Sequence, residues 1–294
     1  MASHATTSNA AHACQAPQER LPPTGIGSLQ LPQDCEVLMT RRLFGKTATA
    51  ALLCLAAQGL PALAATLPQT VAAVKPSIVG IGTQLQTRSP AIVFSGTGFV
   101  VGDGLSVITN AHVVPDKLDA ARMEQLGVVL PDGAGVRFRA ATLVGLDRQH
   151  DLAHLRLEGA PLPALRLRTD SAPAEGETLA FTGFPLGMVL GLHPATHRAL
   201  LAAITPVIQP SLNARRLDAR AVAQLQRSPF SIYQLDGTAY PGNSGSPLYD
   251  PATGEVVGVI NMVFVKGLKE SAISAPSGIT YAIPVRHVQE LLAR

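Results

Sequence analysis

From residue 77 onward, apolar and polar positions alternate in short runs bounded by glycine-rich turns. This is the period-2 pattern of half-buried strands. Residues 77–82 form one such run. Residues 98–101 and 106–109, joined by Gly102-Asp103-Gly104, read as a hairpin, and so do 127–130 and 136–140 across Pro131-Asp132-Gly133. Alternation continues through 143–145 and 152–157, and strands are predicted at 179–181, 232–235, 256–265 and 279–283. Helical spacing is scarce. Short helices are predicted over 117–126 and 217–226. A last one, 285–294, follows Pro284 and gathers Val288, Leu291 and Leu292 on one face. Many short strands with glycine-rich turns predict an all-β chain, barrel or sandwich, with a short C-terminal helix.

Composition narrows the function classes. The 26 glycines and 23 prolines among 294 residues show no repeating period, which excludes collagen-like and low-complexity chains. The net charge is +3 and no basic run appears after residue 46, so nucleic acid is not an expected partner. No uninterrupted apolar stretch is long enough to predict a membrane span.

The N-terminal region reads as a leader. Met39-Thr40-Arg41-Arg42-Leu43-Phe44-Gly45-Lys46 is a basic head. An apolar run from 47 to 60 and Pro61-Ala62-Leu63-Ala64-Ala65 follow it, the order of a secretion signal. The segment 40–46 resembles the twin-arginine export motif, which predicts a periplasmic or secreted protein with cleavage after Ala64 or one residue later. No stable membrane anchor is then expected. Residues 1–38, rich in Ala, Pro and Gln, are a disordered extension or precede a true start at Met39. All three cysteines, Cys14, Cys35 and Cys54, fall before residue 65, so the exported chain is expected to carry no disulfide.

Three segments of the remainder carry chemistry. They are Thr109-Asn110-Ala111-His112-Val113-Val114, Asp147-Arg148-Gln149-His150-Asp151-Leu152-Ala153, and Pro241-Gly242-Asn243-Ser244-Gly245-Ser246-Pro247-Leu248. A serine hydroxyl needs a base within hydrogen-bond reach and donors for the charge that develops on the attacked oxygen. Imidazole is the natural base at neutral pH, and a carboxylate fixes its tautomer. His112, Asp151 and Ser244 occur in that order. Glycines flank Asn243-Ser244, so the backbone amides of Gly242, Asn243 and Ser244 are the candidate oxyanion donors.

With these motifs the chain resembles the chymotrypsin-like serine proteases, specifically the protease domain of the HtrA/Deg group, from about residue 70 to 290. Gly96-Thr97-Gly98-Phe99, Gly183-Phe184-Pro185-Leu186-Gly187 and Gly278-Ile279-Thr280-Tyr281-Ala282-Ile283-Pro284 also look like that group's landmarks. The resemblance implies a double β-barrel over 65–294, with an N-terminal barrel at about 70–165 and a C-terminal barrel at about 170–290. The first lobe would supply His112 and Asp151, and the second Ser244. It implies a serine endopeptidase with polypeptide substrates and without cofactor or metal, and leaves a homo-oligomer open. The alternative is a non-catalytic peptide-binding or chaperone-like module on the same fold. The chain departs from the group at Ser246, where a second glycine is usual. It also shows an extended stretch at 206–229 and ends ten residues past Pro284, so a PDZ module is not expected. Asn243 precedes the nucleophile where trypsin-type zymogens place Asp, which argues against activation through a new N-terminus.

For substrate, Thr238 and Ala239 are expected at the base and wall of the specificity pocket. Asn261, Met262 and Val263 would form the opposite wall and pair with the substrate backbone. No carboxylate is expected there, so the residue before the cleaved bond should be small to medium and apolar. His193 and His197 are four apart, but Pro194 and the missing Glu argue against a metal motif. His150 and His154 are expected to face away from the site.

Overall fold

The computed structural model describes residues 65–133, 135–187, 191–206, 230–261 and 278–294. The leader, residues 207–229 of the extended stretch with the second predicted helix at 217–226, and Met262 and Val263 lie outside the described residues.

Among the described residues, twelve strands close into two six-stranded antiparallel barrels. The first barrel contains β1 (Ile78–Gln84), β2 (Ile92–Val101), β3 (Ser106–Asn110), β4 (Gln125–Asp132), β5 (Gly135–Asp147) and β6 (Leu152–Leu157), ordered β1-β2-β3-β6-β5-β4. The second contains β7 (Thr178–Gly183), β8 (Ala195–Pro206), β9 (Ser231–Asp236), β10 (Pro247–Tyr249), β11 (Val256–Asn261) and β12 (Ile279–Pro284), ordered β10-β11-β12-β9-β8-β7. The double barrel implied by the sequence motifs is the fold of this chain.

Alternation along the strands fills each barrel from within. Val79, Ile81, Val100, Val107, Val128 and Leu155 pack inside the first. Leu179, Phe181, Leu201, Leu235, Leu248 and Ile260 pack inside the second. A third cluster includes Phe99, Ile108, Phe184, Tyr249, Val259 and Val288 and draws on both barrels. Each such aliphatic or aromatic side chain contributes roughly 1.5–3 kcal/mol when fully buried. The lobes are therefore held against each other by an interior, not by a hinge.

The connector and both chain ends reinforce this. In the connector, Leu165 N donates to Val100 O of the first lobe at 2.8 Å, and Arg168 N donates to Val256 O of the second at 2.9 Å. Helix α1 (Leu67–Val74) sits on the second lobe, where Thr70 Oγ1 donates to Pro251 O at 2.8 Å. The C-terminal helix α2 (Val285–Leu292) leaves β12 and packs across β5 and β6 of the first lobe. Its buried face is His287, Val288 and Leu291, close to the predicted stripe.

Three local expectations differ. Residues 117–126 contain only a 3-10 turn, Ala120–Arg122, before β4 begins. Asp119 caps that turn, and Met123 ends it at φ 57° with its side chain exposed. The spacing there is helical, but no surface receives Leu118 and Met123. Helix α1 was not predicted, although Gln69 Oε1 accepts from Thr66 N at 2.9 Å in the manner of a helix start. Strand β8 was also not predicted. Its large Leu200 and Ile204 point to solvent while the inward face mixes small Ala199 with Leu201, which blurs the alternation.

Candidate active site

His112 lies in the 3-10 turn Ala111–Val113 that follows β3, where buried Ala111 and Val113 leave the imidazole on the open side. Asp151 ends the turn between β5 and β6 at φ 52°, a left-handed conformation that Asp tolerates better than most residues. The carboxylate accepts from the His112 backbone N at 2.9 Å through Oδ1 and from His112 Nδ1 at 2.6 Å through Oδ2. With its Nδ1 proton committed there, a neutral His112 presents Nε2 as a bare lone pair, the form needed to accept a proton.

A third donor reaches Asp151 from the other lobe. Asn261, fully buried at the end of β11, donates from Nδ2 to Asp151 Oδ2 at 2.7 Å. Asn261 was expected in the substrate-binding wall. Its side chain is turned to the carboxylate. An amide beside a β-strand end carries no sequence signal for this partner, since the two residues are 110 positions apart.

Ser244 lies in the loop between β9 and β10 and is 8% exposed. Gly96 marks its distance from the histidine turn. A Cβ placed on Gly96 would lie 2.8 Å from a Val113 methyl and 3.1 Å from Ser244 O. Gly96 therefore lets the two segments approach from the two lobes. Glycine is also required at Gly242 and Gly245, with φ 101° and 88°, where a Cβ would overlap the carbonyls of Phe184 and Thr97 respectively.

The loop amides are oriented by what their carbonyls do. Pro241 O accepts from Leu186 N at 2.7 Å, and Asn243 O accepts from Ser246 N at 3.0 Å. Across a planar trans peptide the N–H points opposite to the C=O. The Gly242 and Ser244 N–H groups therefore turn away from those two partners. The Asn243 N–H is engaged with Tyr240 O at 2.9 Å, so of the three expected oxyanion donors it is the one used inside the loop.

Thr97, which the sequence analysis did not single out, ties this loop to the first lobe. Its Oγ1 donates to Gly242 O at 2.6 Å and accepts from Phe184 N at 3.0 Å, and its backbone N donates to Ser244 O at 2.9 Å. The signal in the sequence was a lone threonine between Gly96 and Gly98 in a largely apolar run. The departure at Ser246 has a compensation: its hydroxyl occupies space that a side chain at Gly183 would fill. Asn243 is fully buried, and among the described residues its amide atoms and the Ser246 hydroxyl have no hydrogen-bond partner.

Of the expected pocket residues, Ala239 is buried and Thr238 half-buried. Thr280 of β12 holds their segment: its hydroxyl accepts from Ala239 N at 3.0 Å and donates to Gly237 O at 2.6 Å. His193 is exposed in a loop and His197 lies on β8, so they share no helical face. Burial pushes the His197 imidazole below its ordinary pKa. His154, on β6, is lowered the same way, with the Arg156 charge adding to burial. His150 faces away from His112 as expected, but it is buried against Asp147 and the C-terminal helix.

Residues 96–259 match the family model described as "Trypsin-like peptidase domain". Among curated proteins, the chain is similar to a mitochondrial serine protease HTRA2 of Drosophila pseudoobscura. The two are 30% identical over 209 residues, covering 70% of this chain and 40% of the relative. It is similar to a probable periplasmic DegP-like serine endoprotease of Halomonas elongata, at 29% over 190 residues, covering 65% and 32%. The chain thus spans well under half the length of these relatives. Among solved structures, a protease from M. tuberculosis in its active form matches with TM-score 0.54 and 25% identity, covering 80% of this chain and 86% of that one. A serine endoprotease from Yersinia pestis matches with TM-score 0.54 and 23% identity, covering 78% and 66%.

Proposed function

Because this chain belongs to the trypsin-like peptidase family, in its HtrA-type form, we propose that it is a serine endopeptidase using His112, Asp151 and Ser244. The observation that carries this reading is the Asp151 carboxylate. It holds His112 Nδ1 at 2.6 Å on the lobe that Gly96 brings against Ser244.

Ser244 Oγ attacks the substrate carbonyl carbon while His112 Nε2 takes the hydroxyl proton. Negative charge moves onto the carbonyl oxygen, where the Gly242 and Ser244 N–H groups meet it. Each such donor is worth roughly 3–4 kcal/mol in the transition state. The imidazolium is stabilised by the Asp151 carboxylate, which holds His112 Nδ1 at 2.6 Å. His112 then protonates the leaving amine, and water repeats the sequence on the acyl-enzyme. No metal or cofactor is required by this scheme. The substrate is a polypeptide, and the uncharged residues Thr238 and Ala239 favour a small or medium apolar side chain before the cleaved bond. We also read residues 39–64 as a twin-arginine signal that exports the protein. The periplasmic naming of the Halomonas relative supports export. Among the described residues no helix is long and apolar enough to cross a membrane.

A fluorophosphonate should label the protein at Ser244 and abolish cleavage of an unfolded polypeptide. Ser244→Ala, His112→Ala and the double variant should be equally inactive, each down by about four to six orders of magnitude. A folded protein that takes no label, yet binds peptides unchanged in Ser244→Ala, would make it a non-catalytic peptide-binding module instead.

A further inference from the structure

Behind the turn that ends in Asp151 two histidines lie face to face. His150, in that turn, stacks on His287 of α2 with ring centroids 3.8 Å apart and planes 13° from parallel. Phe230 closes on both edge-on, at 4.7 and 5.6 Å. Each imidazole is tied to a carboxylate: His150 Nδ1 to Asp147 Oδ2 at 2.9 Å, and His287 Nδ1 to Glu290 Oε2 at 3.0 Å. Both rings and Asp147 are buried, whereas Glu290 is half exposed. We propose that this stacked pair is an acid-sensitive latch by which the C-terminal helix holds the turn that presents Asp151. The latch stays closed with at most one proton on the pair and opens when both rings are charged.

One imidazolium stacked on a neutral ring is a favourable arrangement. Two imidazolium rings at 3.8 Å repel, and burial removes the water that would screen them. The charged groups facing the pair are Asp147 and Glu290, which favour protonation, and Arg286, whose Nε lies 3.3 Å from His287 Nε2. Arg294, just past α2, also binds Asp147, at 3.0 Å. Burial raises Asp147, but the bonds from His150 and the charges of His150 and Arg294 outweigh it and leave its pKa low, so the anchor stays ionised. Burial is the largest influence on His287. With the His150 and Arg286 charges it holds the ring below its ordinary value, against the pull of Glu290. The folded chain thus takes up this proton less readily than the unfolded chain, and stability falls as pH drops below about 6.5.

Opening would reach the active site through Asp147. Its Oδ1 accepts from the backbone N of Gln149 and of His150, both at 3.0 Å. Ring and backbone of His150 therefore hang on one carboxylate, and the next residue is Asp151. The Asp151 carbonyl in turn accepts from Ala111 N and Asn110 Nδ2, both at 3.0 Å, beside His112. His150, His287 and Glu290 are also close enough to suggest a metal site. Nearly parallel rings, however, keep their in-plane lone pairs in two separate, nearly parallel planes, so the two do not meet on one ion lying in both ring planes.

The test compares the full chain with His287→Phe, which keeps a ring without a proton site, and with His287→Gln should the first fail to fold. The consequence for catalysis rests on the proposed triad, whereas the stability arm does not. In the stability arm, the Tm of the wild type should fall relative to the variant by more than about 2 °C between pH 7 and 5. In the activity arm, kcat/KM of the variant should fall about tenfold per pH unit on the acid side, as loss of one basic group requires. The wild type should fall more steeply, toward about a hundredfold, with full recovery on return to pH 7. Glu290→Gln should move the steep limb to lower pH. Parallel Tm curves together with equal slopes would overturn the latch. So would stabilisation of the wild type by micromolar Zn²⁺ that His287→Phe removes, which would make the cluster a metal site. A protein without hydrolytic activity but with the divergent Tm curves would sink the protease reading and leave the latch standing.

Discussion

Thr97→Val is the most informative single change, because it removes one oxygen and almost no volume. The Thr97 hydroxyl is fully buried and makes two bonds, to Gly242 O at 2.6 Å and from Phe184 N at 3.0 Å. Valine leaves both groups without that partner in the lobe interface. A buried group that loses its partner costs about 1–3 kcal/mol, so the pair should cost about 2–6 kcal/mol. For a domain of this size each kcal/mol lowers Tm by about 2–4 °C, giving an expected loss of about 8–16 °C for a middle value of ~4 kcal/mol. The Gly242 carbonyl belongs to the same peptide as the Asn243 amide, and its release lets the Gly242 donor drift. One oxyanion donor is worth about 10²–10³ in kcat, and a misplaced donor should forfeit about ten- to a hundredfold. KM should move little, since the hydroxyl bonds the loop and not the pocket wall. The assays are thermal unfolding and steady-state hydrolysis of a peptide, with Thr97→Ser as the rescue that restores the hydroxyl. If Thr97→Val unfolds at lower temperature but keeps wild-type kcat, the hydroxyl supports the fold alone. The link drawn from Thr97 to the oxyanion donors would then be wrong.

Two further outcomes are expected. Asn261→Ala removes the 2.7 Å bond to Asp151. A bond to a charged group is worth about 1.5–3 kcal/mol, so kcat should drop by about ten- to a hundredfold with KM nearly constant. A change mainly in KM or in side-chain preference would return Asn261 to the substrate wall. Replacing Arg41 and Arg42 together by lysine keeps the leader's charge but removes its motif and should block export. Normal processing near Ala65 in that double variant would refute the twin-arginine reading.

Much of the architecture was legible in one dimension because β-strands that bury one face must alternate. The hairpins across Gly102-Asp103-Gly104 and Pro131-Asp132-Gly133 follow from that period and their turn residues. The stripe of α2 was legible for the same reason at period 3.6, whereas residues 117–126 kept a helical spacing with nothing to pack on. His112, Asp151 and Ser244 were named by motif, since each needs particular neighbours: small buried residues beside the histidine, and glycines around the serine. Their order along the chain was likewise a property of the sequence. The direction of each supporting side chain was not. Asn261 reaches Asp151 across 110 positions, Thr97 reaches Gly242 across 145, and His150 meets His287 only because α2 crosses back to the first lobe. Such contacts leave no local period, because they depend on which barrel faces which. Sequence alone indicated most of the strands and the candidate reacting groups; the closure of two barrels on one another decided what holds those groups in place.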